Sequence, residues 1–526
     1  MEFIASLDAK TIMKKLLIAC LCILNLVYVD VNAQTPQLEW GPELVRPRKT
    51  DIAGLIGCDK NSFYCVRNVR SFFSVRANAI EKYSRKTMTL EYVKEFRLPE
   101  VNGKELQYED MFILNGQILV FSSAYFSDQN KKIAYVQKIN TNDGSLAGQP
   151  KEVDQIMADK KRNSGSFSFI VSNDSTKILI ARNDPYEKYA NEKFSYKLLD
   201  ANTNTIWSAS LELPYKDKNF SISNYRVDNS GKVYMLASVM KEKEDRERKK
   251  PSYSYNMISY NNATKALKEM PITLGDKYIS DISFVITPKG NIAIGGFYSN
   301  KSSDGLAGTF FMSVDKEKNQ VLSQGTKDFS TDFLTEFMSA RRADKHKELY
   351  NYSIDYIISQ PNGGAIMVAE QFYINAVTTC QPKGGCTTTY YYNYNDIIVV
   401  SINPDASVKW IKHVPKTQVS ANDGGYHSSY SFVVTNDKLN FIYNDNPKNL
   451  KPDADPKRTK NGIGRKMVTV IVAMNISDGN FNKTAMFSAK EEKIYTRPKV
   501  AMQLSKNQSL FYAIKRKKFK FGIITY

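Results

Sequence analysis

The sequence predicts an all-β, repeat-built fold, and three observations carry that prediction. Short apolar runs flanking a polar turn recur along the 526 residues, with turns near Lys60, Asn115, Asn173, Asn229, Lys289, Asn362, Asn436 and Asn507, 55 to 74 residues apart. A second hairpin series, including "VQKINTNDGSLAG", "MISYNNATKALKE" and "VAMNISDGNFNKTAM", lies between them. The last unit is one strand short, while the chain opens on a strand, "QLEWGPELV", that belongs to no unit.

Each hairpin follows from local chemistry. In "FILNGQILVF", "YRVDNSGKVYMLA" and "FVITPKGNIAIGG" β-rich runs flank residues that turn readily, which is the signature of a β-hairpin. A fixed period of such units marks a repeat architecture. Two hairpins per repeat make four strands, and four-stranded units repeated radially form a β-propeller with short protected edges. The repeats span 52–98, 107–156, 165–213, 220–273, 279–329, 350–416, 427–488 and 496–526. Placing "QLEWGPELV" as the outer strand of the last unit predicts eight blades closed by one strand from the N-terminus. Seven is the alternative, because the first repeat matches least well.

"LLDANTNTIWSAS", with Trp207, and "INPDASVKWIKHV", with Trp410, resemble the D-x-x-T-G-x-x-x-W turn of the secreted PQQ-type and related eight-bladed propellers. The resemblance covers two units and lacks the glycine. With Trp40, Trp207 and Trp410 the only tryptophans, and no adjacent cysteine pair, it implies the architecture without the quinone site. No cofactor is expected.

Residues 1–33 read as an export signal. Lys14 and Lys15 precede the apolar stretch Leu16 to Val29 and a small-residue cleavage site ending at Ala33, with translation starting at Met13. A lipoprotein box ending at Cys20 is the alternative reading. The expectation is an exported chain, periplasmic, outer-surface or extracellular, whose residues 34–526 form a single propeller domain with no transmembrane segment. In an oxidising compartment the closely spaced pairs Cys58/Cys65 and Cys380/Cys386 predict two local disulfides.

A net charge of +19 favours anionic partners, a protein or a glycan, over nucleic acid. Within each repeat the first and third turns are short. The long segments fall on the opposite face, and long loops in a compact fold carry function or disorder. Aromatics gather there, and Tyr186, Tyr189, Phe372, Tyr373, Tyr390, Tyr391, Tyr392 and Tyr394 are the candidate ligand-binding residues, because such rings offer flat apolar area at low entropy cost. "TTCQPKGGCTTTYYYNYN" reads as a stapled loop leading into a strand. Phe333, Leu334, Phe337 and Met338 have helical spacing, predicting an amphipathic helical insert near 330–349 on that face. "KRKKFK", Lys515 to Lys520, reads as charge that blocks pairing of an edge strand, with phosphate or sulfate binding as the alternative.

No catalytic residue and no metal site is expected. His346, His413 and His427 are the only histidines and are scattered, no G-x-S-x-G elbow occurs, and the acidic group Asp445, Asp453 and Asp455 matches no calcium loop. The leading expectation is a non-enzymatic propeller binding a protein or glycan through its loop-bearing face. The alternatives are a hydrolase or lyase acting on an extracellular polymer with carboxylates near the channel, and a scaffold subunit of a cell-envelope complex. The sequence does not state an oligomeric state.

Overall fold

The computed structural model describes residues 36–70, 75–345, 347–382 and 384–526. The export signal expected over 1–33 and His346 lie outside the described residues. Among the described residues, eight sheets of four or more strands follow one another along the chain, each adding its strands in sequence order, alongside two two-stranded pairings. Sheet 1 holds Thr50–Cys58, Ser62–Arg70, Val75–Ser84 and Leu90–Phe96. Sheet 2 holds Gln107–Leu114, Gln117–Phe126, Lys131–Ile139 and Leu146–Met157. Sheet 3 holds Ser166–Val171, Lys177–Asn183, Asn191–Asp200 and Thr205–Lys216.

Sheet 4 comprises Phe220–Val227, Val233–Met240, Tyr253–Asn261 and Ala266–Ile272. Sheet 5 comprises Tyr278–Ile286, Ile292–Ser299, Gly308–Asp315 and Gln320–Asp328. Sheet 6 has Tyr352–Ser359, Ala365–Cys380, Cys386–Ile402 and Val408–Ala421, and sheet 7 has Ser431–Val434, Lys438–Asp445, Val468–Asn475 and Phe481–Ser488. In sheet 8, Tyr495–Ser505, Gln508–Lys515 and Lys518–Thr525 are joined by Gln37–Trp40, which pairs antiparallel with Thr525 to Gly522. Successive four-stranded antiparallel sheets packed side by side are a β-propeller.

Burial explains the patterning. Second strands lie between neighbouring sheets and are largely apolar and buried, as in Ile292–Ser299, where every residue is buried. Outer strands alternate or are exposed, as in Leu90–Phe96. Each sheet shares an apolar layer with the next: Ile80 and Phe96 pack with Ile118 and Val120, and Met367 and Val400 with Phe297 and Phe311. The last sheet packs on the first. The Phe63 and Tyr83 rings lie 5.1 Å apart, and both meet Phe521 edge-on at 4.9 and 4.8 Å.

First strands of sheets 1 and 2, 3 and 4, 5 and 6, 7 and 8, and 8 and 1 approach one another along the inner wall. Six of them carry register shifts, among them those at Ala53, Glu109, Ser223, Ser280 and Asp355 and those within Tyr495–Ser505. Such a bulge bends a strand and re-aims a side chain. Among the described residues no helix is long and apolar enough to cross a membrane.

Three expectations are corrected. Cys58 and Cys65 are free thiols. The turn at Asp59–Ser62 places Cys58 across from Phe63, and Cys65 lies across from Leu55 past one register shift, so the sulfurs occupy different rungs. Cys380 and Cys386 stand directly opposite, 4.1 Å apart at Cα, and are bonded. The segment 378–396 is not a loop: Ala365–Cys380 and Cys386–Ile402 run as one hairpin to the disulfide, because its Thr, Tyr, Val and Ile residues are strand formers. The helical insert is two short turns, Thr331–Thr335, capped by the Ser330 hydroxyl, and Ala340–Ala343. Phe333, Leu334 and Met338 are buried in the layer between sheets 5 and 6, and the extended backbone of Ser339, ψ 149°, separates the two turns.

Candidate functional site

The long second-to-third-strand segments and the sheet-to-sheet connections share one face, and among the described residues two cavities of about 1060 and 1070 Å³ open on it. The first, about 1060 Å³, lies where sheets 7, 8 and 1 meet. Its lining includes Arg46, Lys49, Arg465, Lys490, Lys515 and Arg516, against Asp51 and Asp423. These cations come from separate segments: the connection into sheet 1, the loop of sheet 7, the connection into sheet 8 and the Arg516–Lys517 turn of sheet 8. Arg516 takes a left-handed conformation, φ 59°, as a tight two-residue hairpin turn requires.

Both carboxylates already have partners. Asp51 accepts from the Tyr426 hydroxyl at 2.8 Å and lies 3.5 Å from Arg46 and 3.3 Å from Arg497, whose guanidinium stacks 4.3 Å above the Tyr426 ring. Asp423 accepts from the Ser420 hydroxyl at 2.5 Å and the Gly425 N–H at 2.9 Å. Among the described residues no carboxylate lies within ion-pair distance of Lys49, Arg465, Lys490, Lys515 or Arg516. Burial holds His427 below the usual imidazole range, so it adds a neutral hydrogen-bonding ring. The cavity therefore presents uncompensated positive charge beside Tyr426 and Tyr495.

The "KRKKFK" run is divided by this geometry. Lys515 and Arg516 line the cavity, while Lys518 pairs with Glu43 at 2.6 Å and Lys520 lies over the Trp40 ring at 5.5 Å. Lys518–Thr525 is not an edge strand, because Gln37–Trp40 covers it.

The second cavity, about 1070 Å³, lies between sheets 2, 3 and 4. Tyr186 lines it, and Tyr189 projects nearby with Lys188 and Lys218 at 5.1 and 5.7 Å from its ring. On its wall Glu192, 8% exposed, hydrogen-bonds Asp217; burial, and then the Asp217 charge, raise its pKa to about 8. A folded-state pKa above the unfolded value contributes stability that is present at low pH and lost as pH rises. The protein is therefore expected to lose stability relative to Glu192→Gln progressively between about pH 4.5 and about 8. Denaturant titrations of both proteins across that window measure it, and parallel curves would refute it.

The remaining candidate aromatics sit on the sheet 6 hairpin. Cross-strand register puts Phe372, Tyr390, Tyr392 and Tyr394 on one surface and Tyr373 and Tyr391 on the other. Tyr394 is buried, 4.5 Å from the Phe372 ring, and its hydroxyl accepts from Lys499 at 2.6 Å. Tyr186 and Tyr189, on sheet 3, form a separate group.

Beneath the hairpin, Lys416 is fully buried, with Nζ 2.7 Å from Glu370 Oε1, 2.8 Å from the Tyr394 carbonyl and 3.2 Å from Gln418 Oε1. The bulge at Asp355 turns its carboxyl toward an inner cavity of about 370 Å³, where it accepts from Tyr430 at 2.7 Å. Burial raises the Asp355 pKa to about 6. Asp445 is buried and ion-paired to Lys483, away from any open loop site.

No protein-family model matches the chain, and no curated protein matches it. Similar solved structures include the WD40 domain of SCAP from fission yeast, 8% identical over 93% of this chain and 94% of that one, TM-score 0.39. The β-propeller domain of the Trilobed protease from Pyrococcus furiosus is 10% identical over 82% of this chain and 98% of that one, TM-score 0.34. Penicillium chrysogenum α-L-arabinanase is 11% identical over 72% of this chain and 98% of that one, TM-score 0.33.

Proposed function

We propose that this protein is an exported, non-enzymatic, eight-bladed β-propeller that binds an anionic glycan through its loop-bearing face. The cavity of sheets 7, 8 and 1 carries the reading, with six cations around about 1060 Å³ and two carboxylates already engaged. Sulfate or carboxylate groups would meet Arg465, Lys490, Lys515 and Arg516, and a sugar ring would meet Tyr426 and Tyr495. The apolar layer between sheets 8 and 1, together with Gln37–Trp40 on the last strand, supports a ring of eight blades.

Heparin serves as the sulfated probe and polyglutamate as the acidic polypeptide probe. A charge-assisted hydrogen bond contributes about 1.5–3 kcal/mol, so Arg465→Glu with Lys515→Glu should weaken heparin binding by roughly 100-fold or more. Binding should also fall steeply with salt. Heparin affinity unchanged by the double reversal would refute the site. Tighter binding of polyglutamate would make the ligand an acidic protein.

The Glu192–Asp217 pair favours a second reading, a hydrolase acting on an extracellular polymer. Release of reducing ends from polysaccharide by the purified protein, abolished by Glu192→Gln, would replace the binding reading with this one.

A further inference from the structure

Past Gln371, the strand Ala365–Cys380 has no neighbour among the described residues on the side of the first strand, Tyr352–Ser359, and this stretch of edge projects beyond it, facing away from the hairpin. Its last partners on that side are Tyr352, across from Gln371, and the Asn351 carbonyl, which accepts from the Phe372 N–H at 2.8 Å. From Tyr373 to Cys380 no strand among the described residues pairs on that side. Alternate residues of an antiparallel strand direct their backbone groups to alternate neighbours. The Phe372 N–H points outward, while the Gln381 N–H turns into the hairpin to the Gly385 carbonyl at 3.0 Å. The outward set is therefore Ile374, Ala376, Thr378 and Cys380.

Folded proteins protect exposed strand edges with Lys, Pro, bulges or a covering segment. Outer strands here follow that rule, with Glu91 and Lys94 on sheet 1 and Lys268, Glu269 and Pro271 on sheet 4. The hairpin edge does not: Gln371 to Gln381 contains no charged residue in a chain that is 24% charged. Its side chains are uncharged and its apolar ones are open, with Ile374 48% and Val377 49% exposed.

We propose that this edge is covered by the same edge of a second copy, forming a two-fold dimer with one continuous sheet through both hairpins. The net charge of +19 opposes association of two copies over most of their surface. The uncharged edge lets them meet without setting cations against cations, whereas an acidic partner would be drawn to the basic cavity. A strand paired antiparallel with itself is isologous, which a two-fold axis requires. Centring the axis on Ala376 sets Ile374 against the mate's Thr378 and Phe372 against its Cys380. The outward N–H and C=O groups of Ile374, Ala376 and Thr378 then exchange hydrogen bonds.

The inference is independent of glycan binding, and light scattering on the purified full-length chain tests it. The expected mass is twice that of one chain. Ala376→Pro removes an outward N–H without touching the inner ladder, and edge prolines with the N–H side outward are tolerated. Ala376→Lys sets two like charges directly across the axis, which opposes pairing. Both variants should run at the single-chain mass, with wild-type circular dichroism and heparin binding unchanged. A single-chain mass for wild type at every concentration would overturn the proposal, as would a dimer that survives both substitutions. If Ala376→Pro misfolds, Ala376→Lys decides alone.

Discussion

Replacing Lys416 with methionine while keeping Glu370 is expected to lower the unfolding free energy by about 3–5 kcal/mol at pH 8, the cost of leaving one member of a buried pair uncompensated. Lys416 has no exposed surface, and Glu370 is held by Lys416 Nζ at 2.7 Å and the Ser429 hydroxyl at 2.7 Å. Without the ammonium, Glu370 can relieve its burial only by taking a proton, so the loss should shrink toward pH 4. Adding Glu370→Gln should restore most of the stability, because a neutral amide needs no counter-ion. Guanidinium denaturation of the three proteins at both pH values measures this. A single variant within 1 kcal/mol of wild type at pH 8 would show that the pair contributes nothing that water or neighbouring groups cannot replace.

Truncating Trp40 to alanine is expected to cost about 3 kcal/mol, the lower end for a large aromatic because the ring is only half-buried. The indole packs edge-on against Phe487 at 5.0 Å and Phe511 at 5.3 Å. Its strand supplies the outer hydrogen bonds of Lys518–Thr525. Deleting residues 37–45 should do more, leaving that strand as an open edge and adding concentration-dependent aggregation to the loss in thermal midpoint. Thermal scans and light scattering distinguish the two effects. A deletion as stable and as soluble as wild type would show that the N-terminal strand does not hold the last sheet.

How much was legible depended on the range of the interactions involved. The turn at Asn115-Gly116 is written locally: both residues take left-handed conformations, φ 48° and 73°, in a two-residue turn between Leu114 and Gln117. Hydrophobic runs on either side complete a signal only a few residues long. The sheet 6 hairpin was also legible in part, because "TTTYYYNYN" consists mostly of strand formers and its cysteines face one another; reading "TTCQPKGGCTTTYYYNYN" as a stapled loop hid this. The Cys58/Cys65 pairing was misread because the turn at Asp59–Ser62 sets Cys58 across from Phe63, which leaves Cys65 two rungs away, and closeness in sequence does not report where a turn falls.

The basic cavity shows the limit most clearly. Arg46 and Arg516 are nearly a whole chain apart and meet only because the last sheet packs against the first. No window of sequence contains both. The Asp355 bulge and the burial of Lys416 have the same character, since both depend on what the neighbouring sheets place opposite them. By itself the sequence determined the four-stranded units, their order and the face carrying the long segments, because turn chemistry and alternation act between residues close in the chain. Tertiary structure alone decided which charges meet in a cavity, which cysteines bond and which strand edge stays open, because those depend on distances between segments that only packing brings together.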